Sequence, residues 1–198
     1  MSTRVSIIVP CFNRAALIPD TIESVRRQSC SLWELIIVDD GSDDGSHEVV
    51  AAYCRLDSRI KLLTRNTPLR GASVCRNLGL RASRGEYVIF LDSDDVLAPW
   101  CLETRVRSLD ASPESDFLVF PGLLFKQTPG DLSTLFNTLD IGDDRIVRHV
   151  QGVVGVGGLD VRADEILKVV DQRLHLRRRF EINGLSSPTG RVVSVAIR

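Results

Sequence analysis

Residues 71–95, GASVCRNLGLRASRGEYVIFLDSDD, decide the fold. The first half opens on Gly71 and continues with small and apolar residues at helical spacing through Ser83. After Arg84-Gly85 the period changes. Tyr87-Val88-Ile89-Phe90-Leu91 is a continuous apolar run, the mark of a strand covered on both faces. It runs directly into Asp92, Asp94 and Asp95, with only Ser93 between them. Carboxylates crowded this closely repel, and near a dry sheet end they tend to hold protons unless a positive charge is close. A hard divalent cation such as Mg²⁺ or Mn²⁺ prefers carboxylate oxygens and would relieve that repulsion.

The same grammar repeats on either side. RVSIIVPCFN (4–13) is a strand that Pro10 is expected to end, and Asp20 is positioned to cap the helix after it. WELIIVDDGSDDGS (33–46) is a second apolar strand closed by turn residues, 47–56 reads as a helix, and IKLLTRN (60–66) as a third strand. Downstream, 99–112 reads as a helix with Pro99 near its start, and 115–125 as a fifth strand-like run. Strands alternating with helices of about ten residues imply an α/β fold, with βαβ units and a mostly parallel central sheet between helical layers. In such sheets ligands bind beyond the carboxyl ends of the strands. Asn13, Asp39-Asp40 and Asp92-Ser93-Asp94-Asp95 all fall at those ends, so residues distant in sequence are expected to meet at one rim.

Composition narrows the classes. The chain has 198 residues, 43% of them hydrophobic and 26% charged, as in an ordinary soluble globular protein. No apolar run approaches the roughly 18–20 residues of a membrane span, and the N-terminus does not read as a signal peptide. Five cysteines without a C-x-x-C pair argue against a disulfide framework or structural zinc, and a reducing cytoplasm is the expected location. No nucleic-acid partner is expected. The formal charge of −1 hides an asymmetry: residues 145–198 carry ten Lys/Arg against five Asp/Glu, whereas 1–144 carry fifteen against twenty-one. Ten of the eleven aromatic residues lie at or before Phe136. The chain is therefore divided at 1–140 and 141–198, the second part an atypical basic segment. Within it, VQGVVGVGGLDV is glycine-rich without forming a full G-x-G-x-x-G, 163–180 reads as an amphipathic helix with a basic end, and the residues from Gly184 onward read as a loose tail.

The ordered set VSIIVPCFN, WELIIVDDGSDDGS and GASVCRNLGLRASRGEYVIFLDSDD resembles the nucleotide-sugar half of the family 2 glycosyltransferases, inverting enzymes of the GT-A fold, over roughly residues 4–125. The resemblance implies a Rossmann-like three-layer α/β/α domain. It also implies roles. Pro10 and Asn13 would border the base pocket, and Asp39 would accept a hydrogen bond from the base ring N–H. Asp40 and Ser42 would shape the turn. Arg76 would reach the diphosphate or the nucleotide-side acids. Asp92-Ser93-Asp94 is the D-x-D element, with Asp92 on the ribose, Ser93 beside it, Asp94 on Mg²⁺ or Mn²⁺, and Asp95 supporting the loop. The implied reaction is transfer of a sugar from a nucleoside diphosphate sugar, a UDP-sugar foremost, to a hydroxyl of a glycan, lipid or protein, as in polysaccharide biosynthesis.

The family's general base lies in its acceptor-side half, usually near a Glu-Asp pair, in that order, and tryptophans. The segment 141–198 contains neither. Asp171 and Glu181 are the candidates, set against the simpler reading of solvated acids on a basic helix. Two hypotheses follow: a short active transferase, or a nucleotide-sugar-binding fragment without turnover whose acceptor half is truncated, degenerate or altered in reading frame near 144–150. A nucleotidyltransferase normally shows a glycine-rich phosphate loop near its first strand, and VPCFNRAALIP has none. The basic segment could also contact an anionic membrane surface peripherally, where lipid-linked acceptors reside.

Overall fold

A computed structural model of the chain describes residues 3–113, 117–120, 122–123, 135–136, 153–156, 159–162 and 194–197. The elements alternate as the apolar runs require: β1 (Val5–Cys11), α1 (Ile18–Arg26), β2 (Trp33–Asp39), α2 (Ser46–Leu56), β3 (Ile60–Thr64), α3 (Ala72–Ala82), β4 (Tyr87–Phe90) and α4 (Cys101–Ala111). After these come β5 (Phe117–Phe120), β6 (Gly122–Leu123), β7 (Leu135–Phe136), β8 (Val153–Val156), β9 (Leu159–Arg162) and β10 (Ser194–Ile197). The central sheet has the order β3-β2-β1-β4-β10-β5. β1 to β4 are mutually parallel, and β10 runs antiparallel to both of its neighbours.

Every residue of β1, β2 and β4 is buried, so these strands carry no alternation of polar and apolar residues. Ile7, Val9, Leu35, Ile37 and Ile89 pack with Ile18, Ile22 and Val25 of α1, Val50 of α2, and Leu102 and Leu109 of α4. Ile36 and Val38 turn the other way, onto Cys75 and Leu78 of α3. The result is the expected three-layer α/β/α arrangement. α3 lies tightly on the sheet because Gly79 faces Ile8: a Cβ there would stand 2.4 Å from an Ile8 methyl carbon.

Several local expectations shift. Asp20 does not cap α1; the helix begins at Ile18 with Pro19 in its first turn, and Asp20 lies within that turn, where a carboxylate still favours the positive helix end. Pro10 does not end β1. The Ile8 carbonyl accepts from Leu91 N–H on the β4 side, and the Cys11 carbonyl from Asp40 N–H on the β2 side. Pro10, two residues past Ile8, therefore turns its nitrogen toward β4, beyond the last paired residues Ile8 and Phe90. No ladder bond is lost, and the strand continues with β2 through Cys11. The run 115–125 divides into β5 and β6. The glycine-rich stretch forms the antiparallel pair β8 and β9, with Val156 opposite Leu159. Ser194–Ile197, at the end of the segment 141–198, pairs between β4 and β5 in the main sheet. The change of character near residue 140 and the helix expected over 163–180 lie outside the described residues. Among the described residues no helix is long and apolar enough to cross a membrane.

One arginine breaks the apolar stripe of α4. Arg105 is 4% exposed, and its guanidinium stands 5.2 Å from the centre of the Phe120 ring. Among the described residues its Nε and Nη1 have no hydrogen-bond partner, and burial pulls its pKa down. A cation held dry without an anion costs more than its ring contact returns. Arg105→Met is expected to stabilise the protein by about 1 kcal/mol, seen as a higher urea midpoint at unchanged m. A lower midpoint would mean that the guanidinium is paired in the folded protein.

Candidate functional site

The carboxyl ends of β1, β2 and β4 and the start of α3 form one rim. Asn13 follows β1 with φ of +52°, a left-handed conformation that Asn tolerates better than most residues. Its N–H donates to Ser42 Oγ at 3.0 Å, and its Oδ1 accepts from Asp43 N–H at 3.0 Å. The side chain thus ties the loop after β1 to the loop after β2. Phe12 beside it is 50% exposed.

The two acids after β2 point to different partners. Asp39 is buried, accepts the Ser42 hydroxyl at 2.5 Å and lies 3.8 Å from Nδ1 of His47. Asp40 accepts Gly71 N–H at 2.8 Å and pairs with Arg65, which in turn donates to the Thr67 carbonyl. Gly71 has φ of +112°, which a side chain would strain. Asp40 and Arg65 therefore hold the approach to α3 against the end of β2. The neighbouring thiols are quiet. Burial, with help from Asp39, pushes Cys11 up to about 11, and burial with Asp40 pushes Cys75 up to about 12. Both are therefore held as neutral thiols at neutral pH, a poor state for a nucleophile.

On α3, Arg76 is 4% exposed at its side chain and donates from Nη2 to Asp92 Oδ1 at 2.5 Å. Its Nε and Nη1 are buried, without a hydrogen-bond partner among the described residues. Across the rim, Arg14 Nε lies 3.8 Å from Asp94 Oδ2. Two guanidiniums thus face this loop, one on Asp92 and one toward Asp94. Desolvation raises the Asp92 pKa against the pull of Arg76, and Asp94 adds to the rise. Asp95, 6% exposed, is pushed up to about 8, by desolvation first and then by the charges of Asp92 and Asp94. Ser93 is buried between them, and the Asp95 N–H closes the turn onto the Asp92 carbonyl at 3.1 Å.

This donor set suits a divalent cation shared with a ligand. Among the described residues no three His, Cys, Asp or Glu side chains converge into a protein cage. Asp94 is the most exposed of these acids, 37% at its side chain, and Arg14 approaches it only to 3.8 Å. Mg²⁺ and Mn²⁺ are commonly held by one or two carboxylates, with phosphate and water completing the shell. The orphaned Arg76 donors, set beside those acids, suit an anion.

The structure therefore brings Pro10, Asn13, Asp39, Arg76, Asp92, Ser93 and Asp94 to one rim. Asp171 and Glu181 lie outside the described residues. Sequence reasoning missed Phe12, Arg14 and Arg65. Phe12 and Arg14 flank Asn13, and an aromatic and a cation at a strand end were the available signal; Arg65, just past β3, shows its role only through contacts with Asp40.

Comparison with known proteins decides the family. The signature described as "Glycosyl transferase family 2" matches residues 6–137. The chain belongs to glycosyl transferase family 2. Among relatives of this chain, the "Putative teichuronic acid biosynthesis glycosyltransferase TuaG" of Bacillus subtilis is 46% identical over 93 residues, which cover 46% of this chain and 36% of the relative. The S. aureus TarS 1-349 structure in complex with UDP-GlcNAc superposes with a TM-score of 0.54 at 30% identity, covering 59% of this chain and 33% of that one. The mannosyltransferase PcManGT from Pyrobaculum calidifontis, in complex with GDP-Man and Mn²⁺, gives 0.53 at 28% identity, covering 59% and 35%. The fold is thus GT-A, and the matched region spans about a third of each relative's length.

Proposed function

We propose that this rim binds a nucleoside diphosphate sugar together with Mg²⁺ or Mn²⁺, and that the chain transfers the sugar with inversion to a hydroxyl of a glycan or lipid-linked acceptor at the cytoplasmic face of a membrane. The observation that carries the reading is the Asp92-Ser93-Asp94 loop with Asp92 paired to Arg76, two of whose buried donors have no partner among the described residues and call for an anion. The UDP-GlcNAc, GDP-Man and Mn²⁺ in the two related structures support it.

In this reading Pro10, Asn13 and Asp39 border the base, and the half-exposed Phe12 ring offers it a stacking face. Asp39 also holds the Ser42 turn, so one carboxylate shapes the base pocket and its wall. Asp92 takes the ribose hydroxyls while Arg76 keeps it in place, Ser93 lines the same loop, and Asp94 holds the metal. Arg76 turns its free donors to the diphosphate. A bound divalent cation would supply Lewis-acid stabilisation of the charge on the departing nucleoside diphosphate. The acceptor oxygen attacks the anomeric carbon from the face opposite the leaving diphosphate, the glycosidic C–O bond to phosphate breaks, and a general base takes the hydroxyl proton. Asp171 and Glu181 are proposed for that base.

A thermal-shift panel of UDP- and GDP-sugars, with and without Mn²⁺, tests the proposal. A matching donor at about a hundred times its Kd is expected to raise Tm by roughly 5–10 °C with the metal and far less without it. No shift with any donor overturns the reading. Release of nucleoside diphosphate from the donor that binds, on adding acceptor, separates a transferase from a domain that only binds.

A further inference from the structure

Arg76 and Arg14 hold their acids very differently. Arg76 is buried and grips Asp92 at 2.5 Å. Arg14 only leans toward Asp94: at 3.8 Å, between side chains 41% and 37% exposed, the contact is an ion pair without a hydrogen bond. The Arg14 backbone is nonetheless fixed. Its N–H donates to Ser46 Oγ at 2.8 Å, and its carbonyl accepts from Leu17 and Ile18 N–H at 2.9 Å each, opening α1. The side chain is held more lightly. Among the described residues, Nη1 donates to the Asn13 carbonyl at 3.2 Å, while Nε is shielded from solvent and has no hydrogen-bond partner. A fixed backbone with a lightly held side chain and an unsatisfied donor beside an exposed carboxylate is a counter-ion that can be exchanged.

We infer that Arg14 is the resident counter-ion of Asp94, displaced when a divalent cation takes that carboxylate and then given over to the diphosphate. The inference rests on the donor-site reading above. Its electrostatic logic has a definite sign. A cation binding alone to Asp94 must displace Arg14 and leave a guanidinium near a second positive charge, so Arg14 opposes metal binding by itself. Once a diphosphate is present, the same guanidinium gains an anion and favours the loaded state. Arg14 thereby makes metal and diphosphate bind cooperatively, and by linkage each raises the other's affinity by the same factor.

The test compares wild type, Arg14→Met and Arg14→Lys by calorimetry with two probes: Mn²⁺ alone, and UDP at saturating Mn²⁺. In Arg14→Met, Mn²⁺ alone is expected to bind about threefold more tightly, since a loose exposed pair is weak. UDP is expected to bind about tenfold more weakly, since a charge-assisted contact is lost. Arg14→Lys keeps a cation on the same backbone and is expected to return both affinities toward wild type. A purely structural arginine would move both constants in one direction or neither, and either result overturns the inference while wild-type binding still supports the donor site. Wild type binding neither Mn²⁺ nor UDP would remove the donor site and this role together.

Discussion

Asp94→Ala is expected to abolish the Mn²⁺-dependent gain in donor affinity, a loss on the order of 100-fold, while leaving the melting temperature within about 1 °C of wild type. The two halves of the expectation have different causes. Asp94 is the acid in the D-S-D loop with an open face, 37% exposed, and its ion pair with Arg14 spans 3.8 Å. An exposed pair of that kind contributes little to folding, so its removal leaves the fold intact. The neighbouring acids are less clean probes. Removing Asp92 would leave the buried Arg76 guanidinium without its partner. Removing Asp39 would release Ser42 and the loop that Asn13 also grips. Asp94 therefore separates ligand binding from stability. Calorimetry of the donor found in the thermal panel, with and without Mn²⁺, reads the result. Metal dependence unchanged in the variant would move the cation to another residue.

The parts of the fold legible in the sequence share a physical cause. β1, β2 and β4 are buried on both faces, so each reads as a mainly apolar run, broken only by Ser6 near the start of β1 and Glu34 near the start of β2, and each ends where polar residues begin. Strand direction follows from the helices between them, and that direction brings Asn13, Asp39, Arg76 and Asp92 to one rim. What was not legible depends on long-range pairing or on single contacts. Ser194–Ile197 reads locally as a tail, yet it lies between β4 and β5, a placement decided by two free strand edges distant in sequence. Arg105 falls between Leu102 and Leu109 on the buried side of α4, where a helical pattern offers no reason to expect a cation. The left-handed Asn13 and the partition of Asp39 to Ser42 and Asp40 to Arg65 are products of loop closure. Spacing marks such residues as a polar turn and cannot assign their partners.

At the opposite end of the sheet, Glu34→Ala is expected to destabilise the protein by about 3 kcal/mol, with no direct contact to the site. Glu34 is 4% exposed at the start of β2. It accepts from Ser6 Oγ at 2.7 Å, from Arg84 N–H at 2.6 Å and from Lys61 Nζ at 2.6 Å. Ser6 Oγ accepts in turn from Gly85 N–H at 2.8 Å. One carboxylate thus joins β1, β2, β3 and the α3–β4 turn. Truncation strands the Arg84 N–H and the Ser6 hydroxyl, whereas the Lys61 ammonium, 35% exposed, can rehydrate and accounts for less of the loss. Desolvation alone would raise the Glu34 pKa, but the Lys61, Ser6 and Arg84 hydrogen bonds outweigh it and the net shift is downward. A carboxyl with a depressed folded-state pKa stabilises the fold fully above its unfolded value of about 4.3, and that contribution is lost as pH falls through the lower folded value. Glu34→Gln keeps the shape and an acceptor but cannot ionise. The stability gap between wild type and Glu34→Gln, measured by urea unfolding, should therefore be full at pH 6 and shrink progressively below about pH 4. A gap that stayed constant through that range would show that the ionised carboxylate is not what holds these three strands together.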